Sequence, residues 1–211
     1  MTPEHPVLPP PDFFARSAEI VAPDLVGAVV VSRVGGATTS GRIVETEAYL
    51  GHRDPASHGY RYRRHAGNAS LYAPPGTWYV YRSYGIHWCA NLVCGNEAGD
   101  GSAVLIRALE PLAGLPAMRR RRGARTDVAL CSGPGKLTQA MGITRALDGK
   151  SMANAPVTVL LDQTMQPARV VVTPRIGITK AADWPLRFAA EGSPWVSRPT
   201  SARRASPPAI R

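Results

Sequence analysis

Two pairs of β-rich segments, each joined by a glycine turn, constrain the fold of this chain more than any other feature. LVGAVVVSRV at 25–34 is rich in β-branched residues and ends at Gly35, and SGRIVETEAYL at 40–50 follows it. GTWYVYRSYGIHWCANLVC at 76–94 predicts two more strands that meet near Gly85. Strands joined by such short turns favour antiparallel pairing.

Further strands and short helices follow the same patterns. Strands are predicted in SAVLIRALEP (102–111), APVTVLLD (155–162) and ARVVVTPRIGIT (168–179). Helices are predicted in DFFARSAEIVA (12–22, with Asp12 as N-cap), GLPAMRRRRGAR (114–125) and GPGKLTQAMGI (133–143). Because strands outnumber helices and arrive in adjacent pairs, the sequence predicts an α+β fold, a single mixed domain of antiparallel sheet with short helices around it.

The two ends of the chain differ in composition from the middle. Residues 1–11 are rich in proline, and residues 198–211 contain four arginines and no acidic residue. We expect a flexible N-terminal segment, one domain over 12–197 and a flexible basic tail. Residues 51–76 are polar, basic and rich in glycine and proline, which predicts a long loop of functional or disordered character.

The charge balance indicates an anionic partner. The chain carries 25 basic and 15 acidic residues, a net charge of +10, so we expect attraction to nucleic acid or to an anionic membrane surface. We find no apolar run of about 18 residues and no secretory signal pattern. The sequence therefore predicts a cytosolic protein without membrane association, near the nucleoid if the cell is bacterial.

The cysteine pattern argues against a disulfide framework. Cys89, Cys94 and Cys131 cannot all pair with one another, and no CxxC is present. Buried thiols are the favoured interpretation. A zinc site that also uses His87 stays open, although the spacings match structural zinc sites poorly. We expect no metal and no cofactor.

The sequence does not match two motifs of nucleotide-related proteins, the P-loop and the deaminase signature. GPGKL is not a phosphate-binding P-loop, because Leu130 stands where the first glycine should be and Leu137 follows Lys136. Lys136 at a helix start either holds a DNA phosphate or belongs to an ordinary helix entry turn. The H-x-E and P-C-x-x-C signature is absent, which excludes the zinc-dependent deaminases.

Arginine clusters at 61–64 and 119–122 have two interpretations. Either they are solvated surface or they contact a nucleic-acid backbone. Taken with the net charge, the second interpretation is favoured.

The segment RIVETEAYL places two acidic residues on one strand face. Alternation puts Ile43, Glu45, Glu47 and Tyr49 on the same side, with the two glutamate Cα atoms about 6.5 Å apart. One glutamate can form a structural ion pair, and one can be a general base with a pKa raised by its neighbour and by burial. Spacing alone does not choose between these roles.

Three tyrosines surround the predicted hairpin. Alternation places Tyr79 and Tyr81 on one face, where such rings are commonly core residues. Tyr84 stands at the exposed tip, followed by Gly85 and Ile86, which suits a wedge pushed between stacked bases.

Several long motifs together resemble the alkyladenine (3-methyladenine) DNA glycosylase family. They are RIVETEAYLG, DPASH, APPGTWYVYRSYGIHWCANLV, AVLIRALEP, SGPGKLTQAMGI and GSPWVS, and the resemblance runs from about residue 12 to 198. It implies a single mixed α/β domain with a curved antiparallel sheet. It also implies an enzyme that flips alkylated or deaminated purines out of double-stranded DNA and hydrolyses the N-glycosidic bond. The substrate class is 3-methyladenine, 7-methylguanine, hypoxanthine and etheno-adenine. We expect a monomer without metal, covalent intermediate or lyase activity.

The resemblance implies roles for individual residues. Glu47 matches the general base, Arg107 the arginine beside the attacking water, and the Ile176 carbonyl a third contact to that water. The remaining matches form the base pocket and the wedge. Tyr49 and Tyr81 sandwich the base, His58 closes the pocket, Ala56 reads the base edge through its backbone, Asn91 lies at the pocket floor, and Tyr84 with Ile86 enters the duplex.

Other positions are expected to contact the DNA backbone or depart from the family pattern. The candidate backbone contacts are Arg63, Arg64, Arg120, Arg121 and Lys136. Gly67 stands where the family often has arginine, and His87 stands where a large aromatic residue often follows the wedge. Glu45 has no transferable role, and we interpret it as structural.

Two other classes of protein compete with this interpretation. One is a protein that binds damaged DNA without cutting it, and the other is an RNA-binding module with stacking aromatics. A carboxylate at Glu47 beside Arg107 argues against both, since neither needs a general base next to an aromatic pocket.

Overall fold

A computed structural model describes residues 6–96, 99–124, 126–161 and 169–200. In this part of the chain there are eight strands and four α-helices. The strands are β1 (Val29–Ser32), β2 (Thr39–Leu50), β3 (Trp78–Ser83), β4 (His87–Val93), β5 (Ser102–Ala113), β6 (Val157–Leu160), β7 (Val170–Thr173) and β8 (Arg187–Ala190). The helices are α1 (Ala18–Asp24), α2 (Leu115–Arg122), α3 (Val128–Cys131) and α4 (Pro134–Met141).

All eight strands belong to one open antiparallel sheet, which confirms the predicted fold class. The strand order is β3-β4-β5-β2-β1-β6. The long strand β2 is central: β5 runs along one side of it, while β1 and β8 share the other side. β7 pairs with the free side of β8. The strand β8 was not expected from the sequence.

The pairing of β2 with β5 is irregular where the two glutamates lie. The register shifts between Ile43 and Glu45 and again between Glu45 and Thr46, where Arg107 of β5 is left without a partner. Ile43 and Val44 are both buried in the apolar core, so the predicted alternation is interrupted before Glu45. Such bulges bend a strand and redirect a side chain, and here they turn Arg107 toward the acidic residues of β2.

The first helix begins later than predicted. Residues 12–17 form turns, and α1 starts at Ala18 with Ser17 as N-cap, so the expected N-cap at Asp12 is wrong. Phe13 and Phe14 are both buried and pack edge to face, with ring centroids 5.0 Å apart. The turn lets two neighbouring rings enter the core, whereas helix geometry would direct consecutive side chains about 100° apart.

The predicted flexible ends lie largely outside the described residues. Within the described part, Val7 already forms a bridge with Leu161, and its N–H donates to the Leu161 carbonyl over 2.9 Å. At the other end, the Arg198 carbonyl accepts a hydrogen bond from Arg187. Both attachments lie inside the segments predicted to be flexible.

The core joins the sheet to the helices. Trp78 is fully buried, and its indole N–H donates to the Val157 carbonyl over 3.0 Å. Cys89, Cys94 and Cys131 are buried free thiols. Over the described ranges, no helix is long and apolar enough to cross a membrane.

Candidate active site

A cleft of about 480 Å³ opens between the β3–β4 hairpin, the loop after β2 and the segment after β7. This volume lies in the range of small-ligand pockets. The cleft brings together most of the residues predicted for catalysis and base binding: Tyr49, Ala56, His58, Tyr81, Tyr84, Asn91, Arg107 and Ile176. Glu47 lies immediately behind this lining and is fully buried.

Three hydrogen bonds hold the Glu47 carboxylate. Its Oε1 accepts from the Ile176 N–H over 2.7 Å, and its Oε2 accepts from the Tyr49 hydroxyl over 2.9 Å and from Arg107 Nη1 over 3.1 Å. An ionised carboxylate offers about four acceptor positions. Three of these positions are filled, and all three donors belong to residues that line the cleft.

The environment of Glu47 favours a base. Burial raises the pKa of its carboxyl group, while Arg107, the Ile176 N–H and the Tyr49 hydroxyl act in the opposite direction. Removal from water makes a carboxylate more basic, and a general base works best with a pKa near the operating pH.

Glu45 anchors the guanidinium group that reaches Glu47. Arg107 donates from Nε to Glu45 Oε1 over 3.2 Å, and Glu45 also accepts from Arg187 Nε over 2.7 Å. The Ser197 N–H and hydroxyl complete its bonds at 2.5 and 2.8 Å. Two arginines therefore balance the two buried glutamates, which explains how one strand face carries two negative charges in succession.

Arg187 is a site residue that sequence reasoning missed. Besides Glu45, it contacts the Thr173 hydroxyl over 3.0 Å and the Arg198 carbonyl over 2.7 Å. It thus connects β7 and the C-terminal segment to the acidic pair. The only signal in the sequence was a basic residue within the apolar run LRFAA.

A second missed feature is the fully buried ion pair of Asp54 and Arg175. The two side chains form a two-pronged contact, with Arg175 Nη2 2.9 Å from Asp54 Oδ1. Arg175 also donates to the Ala48 carbonyl over 3.0 Å, and its guanidinium lies 4.7 Å from the Tyr49 ring centre. Since Arg175 precedes Ile176, the pair holds the segment whose N–H binds Glu47.

Tyr81, an aromatic residue of the cleft wall, packs against Tyr79 and His58. Tyr79 stacks on Tyr81 with centroids 5.3 Å apart, and the His58 ring packs against Tyr81 at 4.4 Å. His58 Nδ1 is 2.7 Å from the Tyr79 hydroxyl, and the Asn91 amide donates to the Tyr79 carbonyl over 3.0 Å. Tyr81 is therefore a rigid platform, supported by the buried Tyr79.

Two backbone predictions are refined by these contacts. The Ala56 N–H donates to Asp54 Oδ1 over 2.9 Å, which leaves its carbonyl as the group that can read a base edge. Ile176 also contacts the site through its N–H, which donates to Glu47. The role of the Ile176 carbonyl stays a prediction.

The hairpin tip presents two exposed apolar side chains. Tyr84 is 89% exposed and Ile86 66% exposed. Tyr84 and Gly85 both have positive φ, at 49° and 68°, and the Ile86 N–H closes the turn to Ser83 over 3.0 Å. A tyrosine in this conformation is strained. The strain is confined to the residue that points into solvent.

His87, a departure from the family pattern, contacts the start of α4. A Cβ atom added to Gly135 would lie 2.7 Å from the His87 Cβ, so only glycine permits this approach. The exposed Lys136 therefore lies close to the hairpin. Gly67, the other departure, lies under the His65 ring, whose Nδ1 accepts from the Gly67 N–H over 3.1 Å.

The candidate backbone contacts fall into two groups. Arg63 and Arg64 are exposed, and Arg64 lies 4.0 Å over the Tyr72 ring. Arg121 differs from expectation, because its guanidinium donates to the Ala140 and Val34 carbonyls over 2.9 and 2.6 Å. Those bonds make it a link between helices. Among the described residues, Arg120 is exposed and has no hydrogen bond or ion pair.

Replacing Arg120 and replacing Arg121 should change different properties: DNA binding for Arg120 and stability for Arg121. We expect Arg120→Ala to reduce the log–log salt slope of DNA binding by about 0.9 and to leave stability nearly unchanged. Arg121→Ala should lower the free energy of unfolding by about 1 kcal/mol, because it removes hydrogen bonds to two partly buried carbonyls, and should keep the slope. Fluorescence anisotropy against salt and urea unfolding measure the two quantities. An unchanged salt slope for Arg120→Ala would mean that Arg120 is a solvated surface residue without a DNA contact.

The described residues also bear on the alternative of a zinc site. The described residues contain no group of three or more His, Cys, Asp or Glu side chains that could hold a metal ion.

The comparisons with known proteins agree with the geometry. The sequence profile of the methylpurine-DNA glycosylases (MPG) matches residues 12–194. A protein of Rhodopseudomonas palustris strain BisB18, provisionally named 3-methyladenine DNA glycosylase, is 53% identical over 187 residues, which cover 89% of each chain. A protein of Methanoculleus marisnigri with the same provisional name is 50% identical over 192 residues, 90% of this chain and 98% of its own.

The fold and these similarities define a class of DNA repair enzymes, hydrolases that bind DNA and act on N-glycosyl bonds. Within that class, the chain belongs to the methylpurine-DNA glycosylase family.

Proposed function

We propose that this protein is a cytoplasmic monomer, associated with the nucleoid if the cell is bacterial, that excises 3-methyladenine and related alkylated or deaminated purines from double-stranded DNA. The flipped base lies between Tyr49 and Tyr81, and Glu47 activates the water. The observation that carries the proposal is the buried Glu47 carboxylate, whose three hydrogen-bond donors, Tyr49, Arg107 and Ile176, all line the aromatic cleft.

The reaction needs one water molecule and no cofactor. As the C1′–N bond breaks, its electron pair leaves with the base and the sugar becomes oxocarbenium-like. The Glu47 carboxylate stabilises that positive charge and accepts a proton while the water oxygen bonds to C1′. Arg107 keeps the carboxylate oriented through its Nη1 contact. An alkylated purine that carries a positive charge leaves as a neutral base.

The absence of lyase activity is part of the proposal. A lyase step requires an amine that attacks C1′ and forms a Schiff base. Among the residues that the structure describes, no lysine lines this cleft, and its basic residues are Arg82, Arg107 and His58. The product is therefore an abasic site in an unbroken strand.

The strained wedge gives a test that separates function from stability. Asparagine tolerates the left-handed conformation of Tyr84, so Tyr84→Asn should keep or raise the melting temperature. Without the ring, the few kcal/mol cost of base flipping is less well offset, and excision should fall roughly tenfold or more. Single-turnover kinetics and calorimetry measure the two effects. Tyr84→Phe, which keeps the ring and the strain, should behave like the wild type; full excision by Tyr84→Asn would remove the wedge from the proposal.

The buried Asn91 is expected to exclude guanine-type bases. Its side chain lines the cleft, where a polar group can reject the 2-amino group of guanine by about 1–3 kcal/mol. Asn91→Ser should therefore raise excision of 7-methylguanine relative to hypoxanthine by about tenfold. The measurement is the ratio of single-turnover rates on matched duplexes, with unmodified guanine as a substrate control and the exposed Asn154→Ser as a variant control. An unchanged ratio would make Asn91 a structural strand residue.

A panel of single-lesion duplexes tests the proposed function itself. We expect release of free base from 3-methyladenine, 7-methylguanine, hypoxanthine and etheno-adenine substrates, with rates that rank the four lesions. Tight binding to all of them without base release would favour a non-catalytic protein that binds damaged DNA.

A further inference from the structure

The outer side of β3, the strand that carries Tyr79 and Tyr81, is held by a turn from far along the chain. β3 lies at one end of the strand order, so among the described residues no other strand pairs with this side. The Gly149 N–H donates to the Trp78 carbonyl over 2.8 Å, and the Trp78 N–H donates to the Lys150 carbonyl over 2.9 Å. These bonds fix the strand at Trp78, directly before the two tyrosines.

Asp148 extends this attachment with its side chain. Its Oδ1 accepts from the Val80 N–H over 2.8 Å, and Val80 lies between Tyr79 and Tyr81. An edge strand otherwise leaves such N–H groups unpaired. The carboxylate therefore takes the place that a carbonyl of a neighbouring strand would have.

The same carboxylate oxygen also holds another wall of the base cleft. Asp148 Oδ1 accepts from the Ser70 hydroxyl over 2.6 Å, and Ser70 belongs to the 3-10 helix Ala66–Tyr72. The next residue, Leu71, is buried, lines the base cleft and packs in one cluster with Tyr79. One oxygen therefore connects the strand of the aromatic platform to the helix that supplies an apolar residue of the cleft.

The other contact of Asp148 does not account for its burial. The side chain is 11% exposed, and its Oδ2 lies 3.5 Å from Arg145, whose side chain is 52% exposed. Such a pair contributes little to stability. A buried carboxylate costs free energy unless hydrogen bonds offset it, and here both short bonds that do so lead to elements of the base cleft.

We infer that Asp148 is a positioning residue for base binding. By holding Val80 and Ser70 on one oxygen, it sets the spacing between Tyr81 and Leu71, and so the shape of the cleft that receives the flipped base. The inference rests on the proposed function, because it gives Asp148 a part in holding that base. Asp148 does not line the base cleft and acts through residues that do.

Two duplexes separate positioning from a general loss of DNA binding. One carries a non-hydrolysable analogue of a damaged purine nucleotide, which places a base in the cleft, and the other carries a tetrahydrofuran abasic analogue, which has no base. Asp148→Ala should bind the first duplex about tenfold more weakly, the scale of one hydrogen bond to a charged group, and the second within about twofold of the wild type. Asp148→Asn keeps an oxygen that can accept from both Val80 and Ser70, so it should bind both duplexes like the wild type.

Ser70→Ala provides a second variant, which removes one bond and leaves the Val80 bond in place. It should weaken binding of the base-containing duplex about threefold and keep that of the abasic duplex. The control is Asp24→Ala, which breaks an exposed ion pair with Arg16 and should bind both duplexes like the wild type.

Wild-type affinity for the base-containing duplex in Ser70→Ala, or in folded Asp148→Ala, would overturn the inference. Equal losses of affinity for the two duplexes, or a loss in Asp148→Asn as large as that in Asp148→Ala, would overturn it too. Base release by the wild type on a cleavable duplex is measured separately, so a failure of the proposed function is distinguished from a failure of this assignment.

Discussion

Glu47→Gln should lower single-turnover excision of a methylated purine by at least about a hundredfold, the usual scale for loss of a general base. Glutamine keeps the shape of the side chain, and its single oxygen can accept either from the Ile176 N–H or from Arg107 and Tyr49. It cannot take a proton from water. Binding of lesion duplex should persist, because Tyr49, Tyr81 and Tyr84 are unchanged. Near-normal excision by this variant would remove Glu47 from the mechanism.

The acid limb of the pH profile provides a second measure of the same residue. Excision by the wild type should rise with pH as Glu47 loses its proton, and Glu47→Gln should lack that limb. Stability should respond in the opposite direction. Since burial raises the pKa of Glu47 in the folded protein, the folded state binds more protons than the unfolded state between the two pKa values. Wild-type stability relative to the variant should therefore decrease as pH rises through this window.

The largest effect on stability is expected for the buried pair behind the site. Asp54→Ala leaves Arg175 as a buried charge without its partner, and it removes the acceptor for the Leu50 and Ala56 N–H groups. Breaking such a pair costs about 3–5 kcal/mol. We expect a loss of that size in the free energy of unfolding from urea titration, accompanied by loss of excision as the Ile176 segment moves.

The matched control breaks an exposed pair of the same type. Asp24 and Arg16 are 2.9 Å apart, with side chains 47% and 37% exposed, so Asp24→Ala should cost no more than about 1 kcal/mol. Equal losses for the two aspartate variants would contradict a supporting role for Asp54 and Arg175.

Much of the fold could be predicted because long strands have recognisable local sequence patterns. The strands predicted at β2, β3 and β4 and the glycine turn at the hairpin tip were confirmed, although a bulge interrupts the alternation in β2. The four-residue strand β8 carries too few residues for a period to appear. The bulges between β2 and β5 are also invisible in sequence, because they depend on how two distant strands pair.

The site was predictable only in part, for a related reason. The groups that line the cleft lie in long motifs, whereas the groups that hold them come from far along the chain. Asp54 and Arg175 are 121 residues apart, and Glu45 and Arg187 are 142 apart. No local pattern links such partners. A cluster of arginines also does not reveal which member, here Arg121, bonds to carbonyls inside the protein, and its predicted DNA contact stays a prediction.

The most direct test of the account follows the released base and the strand that it leaves. Wild-type protein and Glu47→Gln are each incubated with a 3-methyladenine duplex, and the released base and the strand are analysed by mass spectrometry. We predict free 3-methyladenine and an unbroken strand with an abasic site from the wild type, with Glu47→Gln giving almost no product in the same time. Strand breakage, a covalent protein–DNA adduct, or bound DNA that never releases its base would contradict the claim that Glu47 directs water to C1′.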